Sequence, residues 1–322
     1  MKKVRWGVLG TAGIARSCTI PAMKTADSCE LYAIAGRSLE KAWRFAQEFG
    51  FEKAYGSYDE LLADPGVEAV YIPLPNDIHY EWVVRALNAK KHVLCEKPLA
   101  LNAGQAAELF RIAEANGVYL MEAFAYQHSP IVSALKQVLD SGVIGEVRYL
   151  ESAFLGGLPK AGDYRWNRDA GGGAVYDLGC YAVSMALRLM GREPETVRAA
   201  AQFAPQGIDL FTSALLLYDD ESVAALDCGM LLPRGRLDRF RLHGTLGEIV
   251  SPVEFNQQGN IPYTVIRDGA RETKTVHTPN NYSLEAEQMS RCILLGEAPA
   301  VSRDFSLMNA RVMDRILREI GY

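Results

Sequence analysis

Lys97 stands where a side chain can be aimed at a ligand. It follows the apolar run Val93-Leu-Cys95 and lies between Glu96 and Pro98. Proline lacks a backbone donor and disfavours the helical conformation in the residue before it, so we expect Lys97 at the very end of a strand. Neighbours in an extended segment point to opposite faces, which leaves Glu96 and Lys97 available to other partners. The plainer interpretation is a strand end with two solvated charges.

A second pair of polar side chains follows three consecutive glycines at positions 171–173. Asp177 and Tyr181 are four residues apart on a helix predicted from about residue 174 to 190, so they share one face. The glycines allow this helix to begin close to a ligand. A free phenol has a pKa of about 10 and is a weak base at neutral pH, but a nearby ammonium group favours its ionised form. Packing of Tyr181 into the core is the alternative.

A glycine-rich turn follows the first predicted strand, at about residues 3–9. Its sequence is Gly10-Thr11-Ala12-Gly13-Ile14-Ala15, and it opens a helix that extends to about residue 24. Strand, glycine turn and helix in this order are typical of a dinucleotide site, where backbone N–H groups at a helix N-terminus bind a pyrophosphate. Ala12 stands where the pattern has its second glycine. Its methyl group narrows the approach of the phosphate without blocking it.

The second predicted strand, at about residues 30–35, ends in a positive charge. NAD enzymes usually place Asp or Glu there, beside the adenosine ribose. This chain has Gly36-Arg37-Ser38, with Lys41 one helical turn further on. No carboxylate repels a ribose 2′-phosphate, and Arg37 can stack on adenine while donating charge-assisted hydrogen bonds to the phosphate. The sequence therefore predicts NADP, with NAD as the alternative cofactor and a solvated arginine as the plainer interpretation.

The order of the elements predicts an α/β chain of two domains. Strands alternate with helices up to about residue 122, as in βαβ units, and one strand ends in the rigid loop Pro73-Leu74-Pro75-Asn76, which can line a cofactor crevice. Strand-like runs with few helices then predict a largely antiparallel sheet. We predict a Rossmann dinucleotide-binding domain at 1–122 and an α+β domain with a large open sheet at 123–322. These later strands are expected at about 146–155, 196–203, 210–218, 222–228 and 239–242.

Bulk composition excludes several classes of protein. The 322 residues carry a net charge of −5, which argues against a nucleic-acid partner. The six cysteines have no C-x-x-C spacing and there are no paired histidines, so neither a disulfide framework nor a metal site is expected. This cysteine usage fits the reducing cytoplasm. No apolar run is long enough to cross a bilayer, and no membrane partner is predicted.

Four motifs, in order and spacing together, resemble the glucose–fructose oxidoreductase/inositol dehydrogenase/MocA (Gfo/Idh/MocA) family over the whole chain. Tyr181 stands where inositol-dehydrogenase-like members carry histidine, and with Glu122-Ala-Phe124 it makes the chain similar to the dihydrodiol dehydrogenase and NADP-dependent xylose dehydrogenase branch. The motifs are Gly10-Thr-Ala-Gly13-Ile-Ala15, Pro75-Asn76-Asp-Ile-His79, Glu96-Lys97-Pro98 and Gly171-Gly-Gly173-Ala-Val-Tyr-Asp177-Leu-Gly179-Cys-Tyr181.

The resemblance implies an NAD(P)-dependent oxidoreductase that acts on a sugar, polyol or diol. We predict that Tyr181 accepts the proton of the substrate hydroxyl while hydride leaves the same carbon. Lys97 lowers the pKa of the tyrosine and holds the oxygen, and Asp177 orients the lysine or the substrate; Lys97 and Tyr181 can exchange roles. The predicted cofactor-binding residues are Gly10, Thr11, Ala12, Gly13, Ile14, Arg37, Ser38, Leu74, Asn76, His79, Glu96, Lys97, Arg165 and Trp166.

Two other functions fit the same motifs. One is a cofactor- or sugar-sensing regulator that keeps the fold without turnover, and the presence of Lys97, Asp177 and Tyr181 argues against it. The other is a reductase of an imine or tetrapyrrole substrate. We also predict a homo-oligomer, most simply a dimer, because the apolar run Ala214-Leu-Leu-Leu217 lies on a strand of an open sheet that has a second face to bury.

Overall fold

The computed structural model describes residues 2–251 and 254–322. The contiguous division predicted at residue 122 differs from the structure, because residues 280–306 group with the N-terminal part of the chain. Alternation of strands and helices along the sequence gives no sign of a late helix that returns to an early sheet. The two compact units are Met1–His128 with Asn280–Ser306, and Ser129–Pro279 with Leu307–Tyr322.

The first unit is built on a six-stranded sheet in which every pairing is parallel. The strand order β3-β2-β1-β4-β5-β6 is that of a doubly wound dinucleotide-binding fold, whose order reverses between β1 and β4. This confirms the predicted Rossmann sheet. The strands are β1 (Val4–Leu9), β2 (Cys29–Ala35), β3 (Lys53–Tyr55), β4 (Ala69–Ile72), β5 (His92–Glu96) and β6 (Leu120–Ala123).

Several helices of this unit begin at polar caps, and some of these end at glycines. Ser38, Ser57 and Asn102 each accept a hydrogen bond from a backbone amide of the first turn of their helix. Gly50 and Gly117 end two of the helices in the left-handed conformation. The helices are α1 (Ile20–Met23), which continues a π-helical turn at Ala15–Thr19, α2 (Leu39–Phe49), α3 (Tyr58–Ala63), α4 (Asn76–Asn88), α5 (Ala103–Asn116) and α8 (Asn281–Leu295).

Two local features of this unit were not predicted. The short strand β3 was not expected, because its three residues carry no clear alternation of apolar and polar side chains. Helix α4 begins with Pro75 at the N-cap position, two residues before the acidic Asp77. Asp77 therefore lies in the first helical turn, where its negative charge interacts favourably with the positive end of the helix dipole.

The second unit contains an eight-stranded sheet of order β14-β13-β12-β11-β7-β10-β9-β8. All its pairings are antiparallel except that of β7 with β10. The predicted open, mostly antiparallel sheet is thus confirmed. Its strands are β7 (Val147–Gly157), β8 (Thr196–Phe203), β9 (Asp209–Leu217), β10 (Val223–Leu232), β11 (Leu237–Gly244), β12 (Gly247–Ser251), β13 (Gly259–Arg267) and β14 (Ala270–Thr278).

Strands β12 to β14 were missed by the sequence analysis. In β14 the first six residues are exposed, so neither face carries the apolar alternation that marks a half-buried strand. Helix α7 (Cys180–Met190) was predicted, and it continues a π-helical turn at Val175–Gly179. Helix α6 runs from Pro130 to Asp140. The last helix, α9, runs from Arg303 to Glu319.

Candidate active site

A cavity of about 530 Å³ opens in the first unit beyond the carboxyl ends of β1, β2 and β4. Ligands of doubly wound sheets bind in this position. The predicted cofactor residues Gly10, Thr11, Ala12, Arg37, Ser38 and Leu74 all line it. The remaining lining residues are Lys41, Gly56, Ser57, Tyr58, Asp59, Pro73, Pro75, Ile78 and Trp82.

The glycine turn after β1 has the geometry of a phosphate-binding loop. Gly10 has φ of +117°, which side-chain-bearing residues rarely adopt, and a Cβ added there would lie 3.0 Å from Cδ2 of Leu74. The first backbone hydrogen bond of the following helix runs from the amide of Arg16 to the carbonyl of Ala12. Amides of Gly13 and Ile14 precede it, so they have no acceptor within the helix and suit an anion.

Two basic side chains, those of Arg37 and Lys41, lie at the start of α2, just after the end of β2. Ser38 caps the helix by accepting a hydrogen bond from the Lys41 amide at 3.4 Å, and its hydroxyl still has a proton to donate. Arg37 and Lys41 are exposed at the rim of the cavity. The charge of Arg37 acts on the Tyr58 phenol: burial raises the pKa of Tyr58 and Arg37 partly lowers it again. A phosphate group fits this end of the cavity better than a ribose hydroxyl alone.

Two aromatic rings form a wall of the cavity that the sequence analysis missed. Tyr58 and Trp82 meet edge to face, with ring centroids 4.8 Å apart. Arg85 lies 4.6 Å over the Trp82 ring and donates to both carboxylate oxygens of Asp59 at 3.1 Å. The carboxylate of Asp59 is therefore paired, which limits its repulsion of a phosphate in the cavity. Residues 57–60 carry a helix-capping pattern, which does not reveal that these rings line a cavity.

His79 joins two loops instead of pointing into the cavity. It is fully buried, its Nδ1 lies 2.8 Å from the carbonyl of Pro98, and its Nε2 lies 2.7 Å from the carbonyl of Leu74. Burial lowers the pKa of His79, although both carbonyls oppose this. Both ring nitrogens lie within hydrogen-bond distance of backbone carbonyls, so His79 holds the two loops together, and its contact with the cofactor stays a prediction. Asn76, also predicted to bind cofactor, is 3% exposed.

The end of β5 is held by a tyrosine of the neighbouring strand. Tyr71 on β4 is fully buried and donates to Oε1 of Glu96 at 2.5 Å, while Thr19 donates to the Tyr71 hydroxyl at 2.9 Å. Burial and the charge of Glu96 raise the pKa of Tyr71, so the phenol remains a donor. One oxygen of Glu96, a predicted cofactor ligand, is thus engaged within the sheet. Lys97 follows directly after the strand and is half-buried.

Glu122 on β6 is a buried carboxyl beside Lys97. Its Oε1 accepts a hydrogen bond from the amide of Leu99 at 2.9 Å. Among the described residues, neither its Oε2 nor the hydroxyl of Ser306 completes a hydrogen bond. Burial raises the pKa of Glu122 to about 7, against the lowering effects of Ser306, the Leu99 amide and the ammonium of Lys97. The sequence analysis noted Glu122 only as part of a motif.

In the second unit, Asp177 is paired with Arg165. Oδ2 of Asp177 lies 2.8 Å from Nε of Arg165, and Asp163 contacts the same guanidinium at 3.2 Å. Burial lowers the pKa of the Arg165 guanidinium. The charge of Asp177 and its hydrogen bond to Arg165 raise this pKa by more, so the net shift is upward. Trp166, predicted with Arg165 to bind cofactor, donates from Nε1 to the carbonyls of Pro159 and Lys160.

Tyr181 lies in the first turn of α7, half-buried and surrounded by aromatic rings. The ring centroid of Phe154 is 5.4 Å away and that of Phe255 is 5.2 Å away. Arg236 stacks over Phe154 at 4.2 Å and donates to the carbonyl of Phe255. Neither phenylalanine was predicted, because each is far from Tyr181 in sequence. The Tyr181 ring is thus packed against two buried phenylalanines.

Comparison with known proteins agrees with this geometry. Residues 4–124 match the oxidoreductase family with an NAD-binding Rossmann fold, and residues 132–250 match the Gfo/Idh/MocA C-terminal domain. The chain is 37% identical over 314 residues to D-xylose 1-dehydrogenase (NADP(+)) 2 of Haloferax volcanii, covering 97% of this chain and 95% of that protein. The chain belongs to the Gfo/Idh/MocA oxidoreductase family. It is therefore an NAD(P)-binding oxidoreductase, as the sequence predicted.

Two further relatives lie at similar distance. Trans-1,2-dihydrobenzene-1,2-diol dehydrogenase of Xenopus tropicalis is 32% identical over 335 residues, with 98% of each chain covered. Among solved structures, the 3-ketoreductase KijD10 of Actinomadura kijaniata, in complex with NADP and TDP-benzene, matches with a TM-score of 0.93 and 32% identity, covering 99% of this chain and 98% of that chain. The branch predicted from Tyr181 is thus represented among the relatives.

Proposed function

We propose that this chain is an NADP-preferring dehydrogenase or reductase that transfers hydride between the nicotinamide and a hydroxyl or carbonyl of a sugar, polyol or trans-dihydrodiol. The observation that carries the cofactor preference is the pair Arg37 and Ser38 at the rim of the cavity, with Lys41 beside them. The names of the Haloferax dehydrogenase and of the KijD10 complex, which both contain NADP, support it.

Within that reaction we assign one proton transfer to Tyr181. In the oxidation direction its phenol accepts the proton of the substrate hydroxyl, and in the reduction direction it returns that proton to the carbonyl oxygen. Lys97 stabilises the negative charge that develops on the same oxygen. When bound, the nicotinamide supplies the hydride acceptor or donor. Asp177, predicted to orient the lysine or the substrate, is itself held by Arg165.

We propose that the substrate is a small ring, a pyranose or a dihydrodiol. Phe154 and Phe255 pack against the Tyr181 ring and against each other, and both are buried. They therefore fix the position of the phenol beside such a substrate. The relatives named for xylose and for a dihydrobenzene diol support both choices.

We also propose a cytoplasmic homodimer that forms through the open face of the eight-stranded sheet. Leu215 on β9 is 44% exposed, while its neighbours Ala214 and Leu216 point to the buried face. All six cysteines of the chain are free, which suits a reducing compartment. Within residues 2–251 and 254–322, no helix is long and apolar enough to span a membrane, and no cluster of His, Cys, Asp or Glu could hold a metal ion.

A substrate screen with both cofactors tests the proposed reaction. Purified protein is mixed with NADP+ or NAD+ and a panel of aldoses, inositols and trans-dihydrodiols, and reduced cofactor is followed by fluorescence. Tyr181→Phe serves as the blank for each substrate, since it lacks the proposed acid–base group. Turnover of at least one sugar or diol with NADP+, and not by the blank, is expected. Cofactor binding without turnover of any substrate in either direction would favour a non-catalytic regulator.

A further inference from the structure

Asp209, the first residue of β9, holds the start of the helical segment that carries Asp177 and Tyr181. The side chain is fully buried, and its Oδ2 accepts hydrogen bonds from the amide of Val175 at 3.0 Å and from the hydroxyl of Thr212 at 2.7 Å. Val175 is the first residue of the π-helical turn that leads into α7. A carboxylate at this end satisfies an amide that has no helical acceptor and complements the helix dipole.

The glycine turn before the helix is fitted to this carboxylate. Gly173 has φ of +95°, and a Cβ added there would lie 2.1 Å from Oδ1 of Asp209. A Cβ on Gly172 would lie 2.4 Å from the carbonyl of Arg165, and the Tyr322 hydroxyl donates to the carbonyl of Gly172 at 2.7 Å. Other atoms therefore pack closely against the backbone of both glycines, and Asp209 occupies the space that a side chain on Gly173 would need.

The charge of Asp209 is sensitive to pH near neutrality. Burial raises its pKa to about 6, while the Thr212 hydroxyl and the Val175 amide lower it. The titratable groups around it are Tyr176, Tyr322 and Cys228, and burial raises the pKa of each, so all three stay neutral between about pH 5 and 8. The charged side chains that act on the same cluster are Arg168, Asp169, Asp227 and Asp314.

We propose that Asp209 is a positioning residue for the reaction: its carboxylate fixes the N-terminus of the helical segment and thereby the placement of Tyr181. This inference rests on the proposed role of Tyr181 as the acid–base group. Misplacing a reacting group by about 1 Å can cost about 10²-fold in rate, so loss of the ionised cap reduces kcat more than it reduces binding. Asp209 lies in the second unit, whereas the predicted phosphate-binding turn and Arg37 lie in the first.

Asp209→Asn is the direct test, because the amide keeps the shape and one acceptor of the carboxyl but not its charge. Activity is measured in the reduction direction, in which Tyr181 must be protonated and so does not itself cause a loss of rate at low pH. We expect kcat to fall between about 10- and 100-fold, with the dissociation constant of NADPH unchanged. We also expect wild-type kcat to fall as the pH drops through about 6, and Asp209→Asn to lack this acidic limb.

Thr212→Val provides a second readout that a merely structural role would not move. It removes a hydrogen bond that lowers the pKa of Asp209, so the acidic limb of kcat should shift to higher pH. Asp219→Asn, an exposed carboxylate paired with Arg192, is the matched control and should leave the profile unchanged. If Asp209→Asn does not fold, the Thr212→Val profile decides, and an unshifted limb overturns the proposal.

Tyr181→Phe, assayed alongside, separates this inference from the proposed function. If Tyr181→Phe loses activity while Asp209→Asn keeps wild-type kcat and its acidic limb, the positioning role is wrong and the proposed reaction stands. If Tyr181→Phe retains wild-type kcat, the assignment of Tyr181 is wrong, and with it the reason for placing Asp209 in the reaction.

Discussion

The Asp177 carboxylate and the Arg165 guanidinium form a partly buried ion pair, with Oδ2 of Asp177 2.8 Å from Nε of Arg165. Their side chains are 15% and 30% exposed, so each would be costly to leave without the other. The sequence analysis gave these residues separate roles, Asp177 beside the lysine or the substrate and Arg165 on the cofactor. Their pairing makes it simplest for Arg165 to act through Asp177.

We expect Asp177→Asn and Arg165→Gln to have non-additive effects on kcat. Each single substitution breaks the same ion pair, so the double variant should be no worse than the poorer single variant, with a coupling of about 1 to 3 kcal/mol in a double-mutant cycle. The exposed pair Arg192 and Asp219 serves as the control cycle and should show little coupling. A rise in the dissociation constant of NADP+ for Arg165→Gln alone would instead support direct contact with the cofactor.

The local signals of the first unit were strong enough to predict most of its elements. Helix α2 carries such signals at both ends, because Ser38 caps it and Gly50 ends it in the left-handed conformation. The glycine turn, Arg37 and the Pro73–Pro75 loop were placed on one cavity by the rule that ligands bind beyond the carboxyl ends of the strands. These inferences need only neighbours in sequence and the direction of a strand.

Contacts between segments that are distant in sequence could not be predicted. Asp209 and Val175 are 34 residues apart in sequence, and only the folded chain brings them into contact. Phe255 reaches Tyr181 from a loop, and strand β14 has no apolar face to reveal it. The pairing of His79 with two backbone carbonyls likewise depends on the tertiary packing of two loops. In each case the tertiary fold determines the partner, and the local sequence carries no pattern that would reveal it.

Arg37→Ala should reduce the affinity for NADP+ much more than that for NAD+, because only NADP+ carries the 2′-phosphate. Loss of charge-assisted hydrogen bonds to a 2′-phosphate costs about 1.5 to 3 kcal/mol, which raises the dissociation constant of NADP+ about 10- to 150-fold. The quenching of Trp82 fluorescence on titration provides the measurement, since this residue lines the cavity. Arg44→Ala, an exposed arginine of the same helix, is the control. An equal rise in the dissociation constants of both cofactors would show that Arg37 does not recognise the 2′-phosphate.

Glu122→Gln should remove a pH-dependent loss of stability. The pKa of Glu122 is about 7 when folded and 4.5 in its ordinary state, so its contribution is fully present below pH 4.5 and is lost as the pH rises through 7. The full contribution is about 3 kcal/mol. Glutamine keeps the oxygen that accepts from the Leu99 amide. In urea unfolding at pH 5 and pH 8, the wild type should therefore lose more stability than the variant.

The control for this comparison is Glu52→Gln, because Glu52 is exposed. It should lose stability between pH 5 and pH 8 as the wild type does. If Glu122→Gln also follows the wild type, the buried carboxyl titrates alike in the folded and unfolded chain, and its raised pKa is wrong.

Leu215→Lys should dissociate the proposed dimer. A lysine on the open face of the sheet would place a charge where an apolar contact is proposed. Light scattering at micromolar concentration should give twice the 35.5 kDa chain mass for the wild type and a single chain mass for the variant. Leu295→Lys, at a 68% exposed leucine that ends α8, controls for added charge and should remain dimeric. A wild type of one chain mass would remove the proposal.

Lys97→Met and Tyr181→Phe should each keep NADP(H) binding and lose about 10²-fold or more in kcat, the usual scale for an acid–base group. Tyrosine without its hydroxyl can neither accept nor return the proton, and methionine fills the space of the lysine without stabilising charge on the substrate oxygen. Dissociation constants from fluorescence titration and kcat from steady-state assays, in both directions, give the two quantities separately.

Tyr80→Phe and Lys136→Met are the matched controls for this pair. The Tyr80 hydroxyl donates to Glu108 at 2.7 Å on the surface, and Lys136 pairs with Asp140 on α6. Both should retain wild-type kcat, because neither lines the cavity and both interactions are on the surface. If Tyr181→Phe also kept near-normal kcat across the pH range while Lys97→Met was inactive, the lysine alone would move the proton. The Tyr181 ring would then have only a packing role, against Phe154 and Phe255.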